Sequence, residues 1–434
     1  MNKQQEKISL INGKIHTRSG LASNITFENG LIVSIDDDAG FSGKIIDLHG
    51  AAVLPGFCDS GFNFLSWSEN QERLNLSGIN SVQEFKDALG SYFQTNQKPL
   101  RGWYIAYGLD DSAAISRDDI DQVISSVPCA VIDAKNTHII LNSPAMSELN
   151  MPQESVEPEE FLEHIPALSN NEIKFLFETY SPKIISQGIS EVCADFYNEK
   201  DLWDVLNDEI YDNLKFRLRC NFGFNKASSL SEFLSSGLRT GDGLPFCKLG
   251  GILIKDFLDQ QEQKNMIFSA HLSGCQIISD NNKSCLNAIE RVTKKVKKNS
   301  RHLIKNFTDG IIERMKILNL GGILTQNENF IHEAFQNGVV VCASSGENLS
   351  SPLKNIGKLV MNGLSVAEAI SIYTWCSAWN AGNDLRRGEI AVGNDADLVI
   401  LEQDPFLVKP EEISLIKISS LFTAGIEQFI TSRN

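Results

Sequence analysis

The sequence predicts an α/β protein: a (β/α)8 TIM-like barrel with a small composite β-sandwich domain formed by both chain termini. Three observations predict it. Short strand-like runs fill residues 7–55, a strand–turn–strand pattern fills the tail, and strand-like and helix-like stretches alternate between them. A small sheet from one end alone could not close a core. We therefore expect residues 1–55 plus 385–434 to form the β-sandwich, with the barrel, residues 56–384, inserted between them.

Two Asn-Gly turn signals punctuate the N-terminal run. Asn12-Gly13 follows the apolar residues 8–11, and Asn29-Gly30 separates two further apolar runs. Asn-Gly favours two-residue β-hairpins because both residues accept positive φ. Both dipeptides are therefore predicted to be hairpin turns.

Eight strand-like stretches lie between the two ends, as a (β/α)8 barrel requires. Helical periodicity separates several of them, and Ser365 with Glu368 forms a capping-box pattern that starts a helix. Residues 66–170 are too long for one strand-to-helix connection, so an insertion is expected there. The strand candidates are Phe57–Leu65, Gly188–Phe196, Phe216–Phe222, Gly251–Ile254, Gly274–Ser279, His302–Asn306, Gly322–Thr325 and Gly338–Ser344.

The bulk composition restricts the function classes. The formal net charge of −16 argues against nucleic acid or an anionic membrane as a partner, since phosphate binding needs clustered Lys and Arg. No segment approaches the roughly 18 apolar residues of a membrane helix, and residues 1–6 lack an apolar signal core. The nine cysteines are scattered singly. We therefore expect a cytoplasmic protein with free thiols.

Motifs along nearly the whole chain resemble the amidohydrolase superfamily. They include D-L-H-G-A-A-V-L-P-G-F before the first barrel strand and G-E-I-A-V-G-N-D-A-D-L-V-I-L-E-Q-D-P in the tail. G-W-Y-I-A-Y-G and H-I-I-L-N-S resemble an insertion in the branch that includes N-substituted formamide deformylases. The resemblance implies a metal-dependent barrel hydrolase with a small-molecule ligand. Dimers are common in the superfamily, so a homodimer is the candidate assembly.

The resemblance also implies where a metal such as zinc would bind. In the superfamily, histidines and carboxylates at the carboxyl ends of the strands hold the ion, whose bound water attacks the substrate. Here the His-x-His pair of the first strand is Gly61-Phe62-Asn63, and Ser345 stands where the last strand has its aspartate. A serine cannot act as a carboxylate base at neutral pH.

Two more strands lack the histidine that the branch carries. On one of them Ser279 or Asp280 takes the ligand position, and the alignment leaves both open. On the next, Asn306 stands at the ligand position and Lys305 replaces a glutamate.

One lysine and one histidine survive as matches to the branch. Lys255 matches the strand lysine that often bridges two metals, with Lys248 as the weaker candidate and a solvent-facing lysine as the alternative. His138 matches a histidine expected near substrate, and the alternative is a structural role. No two histidines have the His-x-His or His-x-x-x-His spacing of a metal site.

These observations predict an amidohydrolase-like pseudoenzyme, catalytically impaired or non-hydrolytic, that keeps a ligand-binding barrel pocket. No cofactor is predicted. The alternative is an active hydrolase of amide-type or formamide-type C–N bonds, using Lys255, His138 or a carboxylate such as Asp59, Asp256 or Asp280. The pocket candidates are Gly61, Asn63, His138, Lys255, Ser279, Asp280, Asn306 and Ser345.

Overall fold

The chain divides into two compact units. In a computed structural model, the first unit comprises residues 1–64, 177–202 and 206–434, and the second comprises 65–176 and 203–205. The structure describes residues 6–37, 43–110, 114–151, 153, 155–157, 161, 164–196, 214–255, 258–280, 282–298, 300–325, 328–346 and 348–431.

Two β-sheets of the first unit draw their strands from both ends of the chain. One sheet has the strand order β5-β4-β1-β6, and the other has the order β24-β23-β22-β7-β2-β3. Their shared core includes Leu10 and Phe27 from the first sheet and Ile400 and Phe422 from the second. The strands are β1 (Ile8–Ile11), β2 (Lys14–Thr17), β3 (Gly20–Ala22), β4 (Ile25–Glu28), β5 (Leu31–Ile35), β6 (Lys44–Asp47), β7 (Ala52–Pro55), β22 (Leu398–Leu401), β23 (Ile418–Thr423) and β24 (Ile426–Ile430).

The two Asn-Gly turns differ in structure. Asn29 and Gly30, with φ of 50° and 80°, join antiparallel β4 and β5, which confirms that hairpin. The hairpin predicted at Asn12-Gly13 is wrong, because β1 pairs with β4 and β6 whereas β2 pairs with β3 and β7 in the other sheet. Asn12 does adopt a φ of 56°, and its Nδ2 donates to Asp47 Oδ2 at 2.9 Å. The turn therefore passes the chain from one sheet to the other.

Eight parallel strands form the nearly closed barrel that the sequence predicts. Parallel strands are buried on both faces and read as continuous apolar runs, which is why each strand candidate corresponds to one of them. In sheet order they are β8 (Phe57–Asn63), β14 (Ile189–Phe196), β15 (Arg217–Gly223), β17 (Cys247–Ile254), β18 (Ile277–Asp280), β19 (Leu303–Lys305), β20 (Gly321–Thr325) and β21 (Val341–Ser344). The short strand β16 (Gly243–Leu244) pairs with β17.

The second unit has its own mixed sheet, with the strand order β13-β12-β11-β10-β9. An apolar cluster that includes Phe85 and Leu89 packs on one face of this sheet. A second cluster, which includes Trp103 and Ala145, packs on the opposite face. Its strands are β9 (Leu74–Asn75), β10 (Tyr104–Leu109), β11 (Cys129–Asp133), β12 (Ile139–Leu141) and β13 (Ser155–Val156).

Helices occupy much of the remaining chain. Ser365 and Glu368 form the predicted capping box at the start of one of them. Within the described residues, no helix is long and apolar enough to cross a membrane. The helices are α1 (Phe64–Gln71), α2 (Val82–Thr95), α3 (Arg117–Asp121), α4 (Ser143–Leu149), α5 (Asn170–Ile185), α6 (Ala227–Ser235), α7 (Gln260–Ser273), α8 (Lys283–Lys295), α9 (Ile312–Leu318), α10 (Glu328–Gln336), α11 (Pro352–Met361), α12 (Val366–Tyr373) and α13 (Trp375–Asn380), with 3-10 turns at Leu100–Gly102, Asp309–Ile311 and Pro410–Leu415.

Candidate active site at the carboxyl end of the barrel

The barrel interior is marked by a buried cluster of Leu253, Ile278, Leu303 and Ile323, one from each of four neighbouring strands. Ile323 on β20 also approaches Gly61 on β8, although β21 lies between these two strands in the sheet order. This contact runs across the interior. Because successive strand residues alternate in direction, the residues two positions after the cluster also face inward, at the carboxyl end of the barrel.

Gly61, at the first position of the lost His-x-His pair, has no room for a side chain. A Cβ placed there would lie 2.4 Å from Ser344 Oγ and 2.8 Å from Ile323 Cγ2. Both distances are shorter than real Cβ contacts, so a ligand side chain would require both neighbours to move. Asn63, at the second position, instead accepts a hydrogen bond through Oδ1 from the Asp195 backbone N–H at 3.3 Å.

Asp195 is the centre of a polar network that the sequence did not reveal. Its Oδ1 accepts a hydrogen bond from Asn221 Nδ2 at 2.8 Å, and its Oδ2 lies 3.5 Å from Lys305 Nζ. Asn221 in turn accepts the Gly251 N–H through Oδ1 at 3.0 Å. The signal in the sequence is weak: each residue is a polar side chain near the carboxyl end of a strand that carries other polar residues too.

Lys305 is a partly buried cation. The Asp195 carboxylate raises the pKa of its ammonium, Asp280 adds to that effect, and burial opposes it. Its side chain is 24% exposed. The amine therefore stays protonated, which suits electrostatic stabilisation and not nucleophilic attack.

The structure distinguishes Ser279 from Asp280 on β18, and Lys305 from Asn306 at the end of β19. Asp280 continues the inward direction of Ile278 and is the register partner of Lys305, whereas Ser279 faces outward and is 1% exposed. Asn306 is exposed and has a φ of 49°, which breaks the strand alternation after Lys305. Asp280 and Lys305 are thus the inward-facing residues here.

Ser345 and Asp59 connect the last strand to the first. The Ser345 backbone N–H lies 3.0 and 3.2 Å from the two carboxylate oxygens of Asp59, and Phe62 N–H donates to Oδ1 at 3.1 Å. Burial nevertheless raises the pKa of Asp59 to about 6. The Ser345 hydroxyl lies 3.3 Å from Ser350 Oγ. Ser345 thus serves this connection through its hydroxyl and its backbone N–H, both of which oppose the effect of burial on the Asp59 pKa.

Of the two lysines on the fourth strand, Lys255 lies at the carboxyl end. It follows β17, and its Nζ donates to Asn225 Oδ1 at 2.6 Å. Lys248 lies near the amino end of β17, where its Nζ donates to the Gly243 carbonyl oxygen at 2.9 Å. Asp256 is outside the described residues.

His138 and His302 have surroundings of other kinds. His138 belongs to the second unit, where its side chain is 60% exposed and its Nδ1 lies 3.5 Å from Glu157 Oε1. His302 Nδ1 accepts the Ile277 N–H at 3.0 Å, and its Nε2 lies 2.8 Å from His271 Nδ1. Burial lowers the pKa of His302 to about 3, so this histidine is neutral and structural.

The inward-facing residues do not fit the metal that the resemblance implies. Within the described residues, no group of three or more His, Cys, Asp or Glu side chains could hold a metal ion. Asp195 and Asp280 both lie beside the Lys305 ammonium, which would repel a divalent cation.

Known proteins share both sequence and fold with this chain. The profile of an amidohydrolase family matches residues 338–425. The putative amidohydrolase YtcJ of Bacillus subtilis (strain 168) is 22% identical over 482 residues, covering 88% of this chain and 89% of that protein. An uncharacterized metal-dependent hydrolase from Pyrococcus horikoshii OT3 superposes with a TM-score of 0.76 at 18% identity, over 93% of this chain and 99% of that chain. Together these matches support membership of the amidohydrolase superfamily.

More distant solved structures share the fold of this chain. An adenosine deaminase from Xanthomonas campestris with bound zinc has a TM-score of 0.62 at 10% identity, over 98% of this chain and 94% of that chain. At such identities the likeness shows the barrel fold alone.

Proposed function

We propose that this superfamily member is a non-hydrolytic relative that does not use a divalent metal and keeps its barrel pocket for a small-molecule ligand. The packing of Ser344 and Ile323 into the space beside Gly61 carries the proposal. A position that merely lacked a ligand could be filled by a water molecule or another side chain, whereas this one is occupied by the protein itself.

The chemistry of the nearby groups supports the same proposal. Hydrolysis needs a group that activates water, and the resemblance places that group at Ser345, whose hydroxyl is not a base at neutral pH. Asp59 is fully buried and accepts backbone hydrogen bonds. Lys305 stays protonated beside Asp195. Ser345 and Lys305 are therefore not bases at neutral pH, and Asp59, whose pKa would suit a base, is fully buried.

Metal analysis of the full chain tests the proposal. The protein is produced with zinc, manganese and iron supplied together, dialysed, and measured by mass spectrometry for metal per chain. We expect far less than one metal ion per chain for each element. Near-stoichiometric metal that survives dialysis would contradict the proposal.

A second candidate is an active hydrolase of amide-type or formamide-type C–N bonds with an altered site. It is favoured by the inward-facing Lys255 and Asp280 at the carboxyl end of the barrel. A panel of N-acyl and N-formyl amides distinguishes the two candidates. Turnover that disappears in Lys255→Ala but persists in Lys248→Ala would establish this second function, and no turnover across the panel is the result that the metal-free proposal predicts.

A further inference from the structure

We propose that the Lys305 ammonium takes the place of a metal ion as the fixed positive charge inside the carboxyl end of the barrel, where it holds the carboxylates of Asp195 and Asp280. This inference rests on the proposed function, since it presupposes that no resident metal binds there. It adds a role for a residue that the superfamily resemblance does not explain.

The position of Lys305 supports the role because its side chain reaches across the barrel. Lys305 ends β19, and its Nζ lies 3.5 Å from Asp195 Oδ2 on β14. Three strands, β15, β17 and β18, separate β14 from β19 in the sheet. One ammonium therefore links opposite sides of the interior, which is what a bound metal ion does between ligands on different strands.

The two carboxylates need such a cation. Asp195 is 12% exposed and has a fixed direction, since Asn221 donates to its side chain and Asn63 accepts from its backbone. Asp280 lies beside Lys305 as its register partner and acts on the same ammonium. Carboxylates taken out of water are costly unless a positive charge compensates them.

A lysine differs from a metal ion in ways that match the proposed function. The ammonium is a compact charge with three N–H donors, so it can neutralise carboxylates and can donate to an oxygen of a ligand. It has no coordination position at which water becomes a hydroxide. It is also covalently part of the chain and cannot dissociate, so this end of the barrel is expected to be independent of metal supply.

The test is to remove the ammonium and ask whether a free cation can replace it. Lys305→Met keeps most of the side-chain length and removes the charge, which leaves Asp195 and Asp280 without it. We expect a lower thermal midpoint than wild type, and a rise of about 2 °C when millimolar MnCl2 is added, because a cation that binds only the folded state stabilises it. The wild-type midpoint should not respond to MnCl2.

Three variants serve as controls. Lys248→Met makes the same substitution at the amino end of the barrel, where Nζ donates to a carbonyl oxygen, and should show no manganese response. Lys305→Arg keeps the charge and should also show none. Lys305→Met combined with Asp195→Asn removes one of the two carboxylates and should lose the response. Matched ionic strength in NaCl accounts for general screening.

The outcomes separate this inference from the proposed function. The role of Lys305 would be overturned if the thermal midpoint of Lys305→Met did not change with manganese. It would also be overturned if Lys248→Met or Lys305→Arg responded to manganese by the same amount. Neither result would contradict a metal-free wild type. Stoichiometric metal in the wild type would overturn the proposed function itself. Should Lys305→Met be insoluble, its refolding yield from urea is compared with and without MnCl2, and no manganese-dependent recovery would also count against the role.

Discussion

The ion pairs at the two ends of the barrel differ in length and in exposure to solvent. At the amino end, Arg217 Nε and Nη2 donate to the Asp397 carboxylate at 2.7 and 3.0 Å, and Arg387 donates to Glu191 and Asp395 at 2.9 and 2.8 Å. At the carboxyl end, the Lys305–Asp195 pair is longer, at 3.5 Å, and 24% of the lysine side chain is exposed. The amino end uses ion pairs to join the barrel to the tail residues before β22, whereas the carboxyl end keeps its charges within reach of solvent.

Two buried carboxylates, Asp397 before β22 and Asp59 on the barrel strand β8, have opposite shifts in pKa. Burial raises the pKa of Asp397, but Arg217, Arg387 and the Ala424 N–H together outweigh it, and the net shift is downward. Asp59 is fully buried, and within the described residues it accepts hydrogen bonds from N–H and O–H groups but has no cation beside it, so burial raises its pKa to about 6. A cavity of about 10 Å³ beside Arg217 and Arg387 has room for roughly one water molecule. The ion-paired Arg217 and Arg387 therefore leave little empty space between the amino end of the barrel and the tail residues.

The largest effect should follow from removing the ion pair of Arg217 with Asp397. Arg217→Met leaves Asp397 buried without its main cation, and we expect the free energy of unfolding to fall by about 3–5 kcal/mol. The urea midpoint followed by circular dichroism measures this. The control is Lys294→Met, which removes an ion pair with Glu290 from a side chain that is 66% exposed and should change the stability by at most about 0.5 kcal/mol. Equal losses in both variants would contradict the comparison.

A smaller effect is expected from the titration of Asp59. Its pKa is about 6 in the folded state, against 3.8 for an unperturbed aspartate, so between pH 4 and 6 only the folded state keeps the proton. The contribution of protonated Asp59 to the free energy of unfolding is therefore fully present below pH 4. It is lost as the pH rises through 6, by up to about 3 kcal/mol. Asp59→Asn carries no charge at any pH, so the difference in unfolding free energy between wild type and variant should vary across this window.

A flat difference between Asp59→Asn and wild type across pH 4 to 6 would show that Asp59 does not titrate as described.

The next effect concerns packing at the carboxyl end. Gly61→Ala places a methyl group against Ser344 and Ile323, and we expect a loss of about 1–3 kcal/mol from overpacking. Gly310→Ala is the control, since a Cβ there meets nothing within 4 Å, and it should stay within about 0.5 kcal/mol of wild type. Adding Ser344→Gly to Gly61→Ala should recover part of the lost free energy of unfolding. If the double variant is no more stable than Gly61→Ala, the clash with Ser344 is not the cause of the loss.

Sequence patterns predicted the barrel strands because buried parallel strands form apolar runs between turn residues. They could not decide between Ser279 and Asp280, because a shift of one residue reverses the face of a strand and only the packing of Ile278 identifies the inner face. Asn306 was expected in the pocket, but its positive φ ends the alternation one residue earlier and leaves Lys305 inside. Asp195 and Asn221 were missed because their contacts connect strands that are distant in sequence.

The contact of Ser344 and Ile323 with Gly61 also bears on how this barrel could be engineered. A histidine introduced at position 61 alone would meet Ser344 Oγ and Ile323 Cγ2 before its ring reached the interior. A design that adds a metal ligand at this position therefore needs smaller side chains on β20 and β21 in the same step.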